Sequence, residues 1–525
     1  MKAFVNATFL SCEEENRVFT VLVEHRGRIV YTGDTLPAAY AHAQKVDLQG
    51  ATVVPAFADT HLHFESYALF HSTVDVRDAQ DFTEMGKLLR TYADAHPGES
   101  VIAAYGCTAH VVAEKRLVER ADLDAMLDRP VMIVKYDGHA AVVNSALMKL
   151  FPADVTEDPG FDAQTGWLYQ NAFYKGVNFI TGKVPIPRIL RGLLGASDEL
   201  ARQGVGLLHS VEGVGYQGDV DVDMLRFLRF GLPQTIRIFF QTMEVRKATR
   251  RGMKHIGGCF KLALDGCFGS EDAALFEPYT NNPQNKGFLA YTQEEVNRFC
   301  IEANRAGLQI AMHAIGDQAV EQAIVALETA LKDMPRKDHR HILIHADLIN
   351  ADQRARAAAL GLSVALQPAF LGWKQEPAEY LERILGQERT LAIEPLRDLV
   401  DAGILISAGS DAPCTLPDPI RSISLCCNHP DPRQSLTVEE ALKAHTLWAA
   451  KTAFDEDQLG SLTVGKWANM SVLAQNPLAM PVETLQDNRV LTLYVQGKKV
   501  EPHRGGIGRL VCRSLGRKLA GARGR

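Results

Sequence analysis

Long hydrophobic runs are missing from this 525-residue chain. No stretch approaches the roughly 20 apolar residues needed to cross a bilayer, which argues against a membrane-spanning helix. A strong charge of one sign is missing too: the net charge of −7 is mild and gives no reason to expect nucleic-acid binding. The nine cysteines form no C-x-x-C, and only Cys426 and Cys427 are adjacent, so neither a disulfide framework nor a redox motif is indicated. Reduced thiols of this kind fit a cytoplasmic protein. The N-terminus has one lysine and a short apolar stretch broken by Asn6 and Thr8, then Glu13, Glu14 and Glu15, a poor secretory signal. What is present is 46% hydrophobic and 23% charged residues, the balance of an ordinary globular enzyme with ample core. The length allows two or more domains, or one large barrel with additions.

Residues 1–55 have the texture of short strands and turns, and residues 470–473 and 489–495 repeat it near the other end. Strand-rich ends around a long middle predict a small β-sandwich domain, residues 1–55 and 459–503, built from both termini. The middle alternates strand and helix. Residues 308–313, 341–345, 361–367 and 403–408 read as strands; between the first two, Asp317 can cap a helix with Val320, Ile324, Leu327 and Leu331 on one face. Thr292 and Glu295 form a capping box ahead of Val296, Phe299 and Cys300. Repeated βα units imply a parallel sheet, either open and doubly wound or closed. A (β/α)8 TIM-type barrel over 56–458 is favoured, because a barrel gathers residues from many strand ends at one mouth. Between His63 and about residue 200 the pattern is irregular, which predicts a large insertion, about 64–200, after the first barrel strand. Residues 504–525 carry seven basic residues and no acid, a solvated, disordered tail by composition.

One logic recurs along the barrel. His61 and His63 end the first apolar run and, two apart on a strand, point to one face. Lys261 lies in 259–265, where alternation puts Lys261, Ala263 and Asp265 together. His313, His345 and Asp411 each end a further strand. Imidazoles, a carboxylate and a lysine that could act once carboxylated suit a borderline divalent metal. Each residue alone has a bland reading as a core, turn or snorkelling side chain; recurrence at successive strand ends is what the bland readings do not explain. His139 is a candidate substrate contact, with a structural hydrogen bond as its competing reading. Trp167, Tyr169 and Phe173 could line an apolar pocket or be the plain core of the insertion, and His209 has two equally good readings.

These stretches resemble the amidohydrolase superfamily and, within it, the amidohydrolase-3 group that includes N-substituted formamide deformylase-like proteins. The resemblance rests on Pro55-Ala-Phe-Ala-Asp-Thr-His-Leu-His63, Lys261-Leu-Ala-Leu-Asp-Gly266, His313-Ala-Ile-Gly-Asp317, His345-Ala346 and Gly409-Ser-Asp-Ala-Pro413. Asp137-Gly-His139 and Gly460-Ser-Leu-Thr-Val-Gly-Lys466 agree as well, so the likeness spans about residues 1–503. It implies a metal-bearing (β/α)8 barrel, with His61, His63 and Asp411 around the more buried metal and His313 and His345 around a second. Lys261 would sit where many relatives carry a bridging N6-carboxylysine. Gln170 stands where the family commonly has glutamate, a lost charge over the mouth that bears on substrate class.

The expected activity is hydrolysis of a non-peptide carbon–nitrogen bond, in an N-acyl, N-formyl or cyclic amide, by metal-activated hydroxide with Asp411 as proton shuttle. The cofactor expected is a divalent metal, Zn2+ first, one or two per chain. The expected partners are a small-molecule amide held by His139, Trp167 and Gln170, and a second copy in a homodimer. A deaminase of heteroaromatic amines on the same site, or a catalytically silent binding protein on the same scaffold, are the alternatives.

Overall fold

The computed structural model describes residues 1–502 and 506–522. Eight parallel strands make up its central sheet. They are β1 (Phe57–Leu62), β2 (Val205–Glu212), β3 (Thr235–Phe240), β4 (His255–Ala263), β5 (Gln309–Ala314), β6 (Ile342–His345), β7 (Ser363–Leu366) and β8 (Leu405–Ala408). Their spatial order follows the chain from β1 to β8, and every neighbouring pair is parallel. Helices between the strands cover the outer face, so strand residues are buried on both sides, as all eight are in β2. The sheet is a nearly closed (β/α)8 barrel. The seam is joined beyond the end of β8: Asp411 N donates to His61 O at 2.7 Å, and His63 N donates to Ala412 O at 2.9 Å. Gly409 makes this approach possible, because a Cβ there would lie 2.4 Å from the His61 nitrogen.

The outer helices form where helical spacing put apolar residues. In Asp317–Asp333 the buried set includes Val320, Ala323, Ile324, Leu327 and Ala330, one face at 3.6-residue spacing. Asp317 is not its N-cap as expected; Gly316 is, and Asp317 instead accepts the Phe276 amide at 2.9 Å. The capping box of Gln293–Arg305 has the expected partners, with Thr292 N donating to Glu295 at 2.9 Å.

Strands from both ends of the chain meet in one six-stranded sheet, where Met470–Leu473 runs antiparallel to Thr52–Pro55. A four-stranded sheet of N-terminal strands shares its core, with Phe4, Leu22 and Ile29 packed together with Phe9, Val53 and Met470. Between β1 and β2 a separate five-stranded sheet carries alternate residues to opposite cores. Val131 and Ile133 face Met85 and Leu89, while Met132 and Val134 face Leu168 and Phe173.

The basic C-terminal stretch departs from expectation. Residues Gly506–Ala522 form a helix, with Leu510 buried and Ser514 Oγ donating to Leu228 O at 3.2 Å. Isoleucine and leucine at 507 and 510, at helical spacing, supply an apolar stripe that a count of charges overlooks. The rest of the expected tail lies outside the described residues. Among the described residues no helix is long and apolar enough to cross a membrane.

Candidate metal centre

At the carboxyl end of the barrel, β1 delivers His61 from its last turn of the pleat and His63 just beyond it. The segment after β8 brings Asp411 against them: its Oδ1 lies 3.1 Å from His61 Nε2 and 3.3 Å from His63 Nε2. Asp59 fixes that segment, accepting from Ser410 N at 2.9 Å and Ser410 Oγ at 2.6 Å. The fourth member is Cys259, whose Sγ lies 3.0 Å from His61 Nε2. One donor atom from each of His61, His63, Cys259 and Asp411 falls within 4.8 Å of every other, and all four residues are buried. His345 and Asp411 both sit in the left-handed region, at φ 68° and 55°. Such strain persists only where the surroundings enforce it, and it clusters at functional sites.

His345 stands beside the group, its ring 5.5 Å from that of His61, and His313 stands next to His345. Their rings meet at 4.6 Å, and His345 Nε2 is 3.9 Å from Cys259 Sγ. Asp265 stands beside His313: its Oδ1 is 3.3 Å from His313 Nδ1, which makes no hydrogen bond, and accepts Ile315 N, while Oδ2 accepts Ala274 N and Gly316 N. Among the described residues these two histidines do not join the four-donor group.

Lys261 is not part of the centre. It is exposed, and its ammonium donates to Gly213 O at 2.5 Å, so no lysine is present there to be carboxylated. The cause is local. Gly258 pairs with Met312 and Ala263 with His313, so residues 259–262 bulge out of the ladder and strand alternation fails across them. Gly257, at φ 110°, starts the bulge; a Cβ there would lie 1.8 Å from Ala311 O. The bulge turns Cys259 inward and Lys261 outward.

His63, Cys259, His313, His345 and Asp411 line a cavity of about 40 Å³, closed by Phe370, Trp373, Phe268 and the acids Asp137, Asp347 and Glu376. His139 lines it too, its ring 6.4 Å from that of His313. Trp167 does not; it is buried in the insertion core. Gln170 is exposed at the start of a helix and is likewise outside the cavity. Cys259 was missed because a bulge has no signature in alternation, and the acids because they come from loops whose directions a sequence does not fix. Lys135 and Asp137 form a buried ion pair at 2.7 Å, and the ammonium helps hold the Asp137 carboxyl at about 2 against the opposing effect of burial. Burial, assisted by nearby Asp137, pushes Glu376 up to about 7.

The donor set fits a divalent cation. Asp411 Oδ1 is buried and makes no hydrogen bond, although two imidazole nitrogens lie within 3.3 Å. Burial disfavours charge on His61, so its imidazole is held neutral, the form that binds metal. Imidazole nitrogens, a thiol sulfur and a carboxylate oxygen converge here in a buried space, with Asp411 Oδ1 short of a hydrogen bond, and a cation among them would satisfy the set.

Fold and site define a metal-binding hydrolase scaffold, and the chain belongs to the amidohydrolase family, whose model matches residues 44–500. It is 26% identical over 536 residues to YtcJ of Bacillus subtilis (strain 168), spanning 95% of this chain and 99% of that one. It is 24% identical over 543 residues to the N-substituted formamide deformylase of Arthrobacter pascens, spanning 94% and 97%. Among solved structures, an uncharacterized metal-dependent hydrolase from Pyrococcus horikoshii OT3 superposes with a TM-score of 0.75 at 25% identity, over 92% of this chain and 99% of that one.

Proposed function

We propose that the protein hydrolyses the carbon–nitrogen bond of a compact, non-peptide amide, an N-substituted formamide or similar small acyl amide, with one Zn2+ held by His61, His63, Cys259 and Asp411. The observation that carries this reading is the convergence of four buried donors at the barrel mouth, with Asp411 Oδ1 between two imidazoles and making no hydrogen bond. A divalent cation bound there supplies Lewis acidity and lowers the pKa of a coordinated water to about 7.

The chain supplies the rest. Asp411 lines the cavity as well as the donor cluster, so its carboxylate can accept the attacking water's proton and hand it to the leaving nitrogen. Burial alone would raise its pKa, but His61 and His63 hold it well below the ordinary carboxylate range. His313 and His345 also line the cavity in which the acyl group would lie. Phe370 stacks on His345 at 6.0 Å and Trp373 on Phe370 at 4.8 Å, an apolar wall that keeps bulk water from competing with the bound one. The cavity of about 40 Å³ has room for about three waters by this measure, which suits formyl better than a bulky acyl group. The deformylase relative acts, by its name, on N-substituted formamides, in keeping with that size.

The test is elemental analysis of the purified protein followed by a panel of N-substituted formamides, longer N-acyl amides, cyclic amides and heteroaromatic amines. One equivalent of zinc and formate release, abolished by a chelator and restored by Zn2+, is the expected result. Ammonia release from heteroaromatic amines, with no amide turned over, would replace this reading with a deaminase. Stoichiometric metal and no turnover on any substrate would point to a silent scaffold.

A further inference from the structure

The opposite end of the barrel holds a second, larger cavity of about 550 Å³, ringed by the amino ends of β3, β4 and β5. Its lining is strongly cationic: Arg226, Arg229, Arg237, Arg251, Lys254 and Arg336 against only Asp338 and Asp455. Some of that charge is already matched. Arg237 is clamped by Asp455, Arg226 and Arg251 share Asp223, and Asp338 is held by Arg340 at 2.7 Å. Arg229, Lys254 and Arg336 are left over. Among the described residues no carboxylate lies within ion-pair distance of any of the three. Arg336 donates only to neutral oxygens, those of Asn304, Gly307 and Leu308. Arg229 has a buried Nε with no hydrogen-bond partner; its guanidinium makes a long 3.4 Å bond to Ile236 O and lies 5.0 Å from the centre of the Phe230 ring.

Gathering unmatched cations in a recess costs energy that a fold tolerates poorly without a counter-charge. Burial lowers the Arg229 pKa, with Arg237 and Arg226 adding to the effect. Burial also pushes His255, in the cavity wall, down to about 4, again helped by Arg237 and Arg229 and opposed by its 2.7 Å bond to Gln309. The cavity wall keeps an excess of positive charge, since its acids Asp338 and Asp455 are fewer than its six cations.

We propose that this basal cavity binds a small molecule carrying two or more phosphate groups, with Arg229, Lys254 and Arg336 as its charge partners. Two guanidinium forks and one ammonium match the many oxygens of a di- or triphosphate better than a single carboxylate. The volume lies within the usual range for a small-molecule site, about 300–1,000 Å³, and far exceeds one phosphate ion. Met253, Ala453 and the 41% exposed ring of Phe454 give the remainder of such a ligand an apolar wall. The site is independent of the metal centre and of the reaction proposed there.

The experiment is calorimetric titration of the full-length, metal-loaded protein with ATP, inorganic pyrophosphate, adenosine, citrate and a short single-stranded RNA. Binding of ATP or pyrophosphate with a Kd of about 1–100 µM is expected, with none of adenosine. ATP tighter than pyrophosphate would assign a nucleotide, and equal affinities would assign the phosphates alone; both uphold the proposal. Lys254→Glu, at an exposed position with no side-chain partner to lose, should weaken binding by at least about tenfold, and Arg229→Gln by a similar factor, with zinc content and turnover unchanged. The proposal is overturned if neither polyphosphate binds at millimolar concentration, if citrate binds as tightly, if RNA binds more tightly than both, or if both variants bind like the parent.

Discussion

Cys259→Ala and Lys261→Ala separate two ways of building the metal centre. Residues 259–262 bulge from β4 and put the thiol, not the ammonium, 3.0 Å from His61 Nε2. A four-donor zinc site binds with about 10–16 kcal/mol, so an equal share for each donor is about 2.5–4 kcal/mol. Removing Cys259 should therefore weaken zinc affinity by about 10²–10³-fold. The lysine contacts Gly213 O and lies outside the donor cluster, so its removal should change affinity by less than about threefold. Competition titration against chelators of graded strength measures both. Cobalt substitution adds a direct signature, since a thiolate ligand gives a charge-transfer band that Cys259→Ala should abolish and Lys261→Ala should keep. A lysine variant that loses metal beside a cysteine variant that retains it would refute the bulge as the source of the fourth ligand.

Further expectations concern other parts of the molecule. Asp411→Asn should lower kcat by about 10²–10⁴-fold while part of the metal is retained, checked by kinetics beside elemental analysis; near-normal turnover would remove it as the proton shuttle. Asp265→Asn, which removes the negative charge 3.3 Å from His313 Nδ1, should cost about 10–100-fold in activity or metal affinity. Trp167→Phe and Gln170→Glu lie outside the cavity and should leave KM within about twofold, as steady-state kinetics would show. The buried acids Glu65, Glu212 and Asp221 make stability depend on pH between the acid and neutral ranges. Burial first, then mutual repulsion, raises Glu212 to about 8, and burial raises Asp221 to about 6. Their folded pKa values exceed the unfolded ones, so the native state binds more protons than the unfolded state. The stabilisation is complete below about pH 4 and is lost as pH rises toward 8. Thermal midpoints should fall between pH 5 and 8 (roughly), and Glu212→Gln should flatten that slope.

The sequence by itself determined the parts of this protein that depend on local periodicity. The apolar runs ending in His61, His313, His345 and Asp411 became barrel strands or their immediate continuations, because a strand buried on both faces must be apolar nearly throughout and its polar residues collect at the end. The Thr292–Glu295 box started its helix for an equally local reason: the donors left over at a helix start are satisfied by side chains within three residues. Tertiary structure decided what periodicity cannot encode. The choice of Cys259 over Lys261 turned on a bulge that Gly257 permits only because the Ala311 carbonyl packs where a side chain would be. The C-terminal helix depends on Leu510 finding a buried place against Gly231 and on Ser514 bonding Leu228 O, a partner 286 positions away in the chain. The basal cluster of arginines was unreadable for the same reason: Arg229, Lys254 and Arg336 meet only when the barrel closes and brings the starts of its strands together.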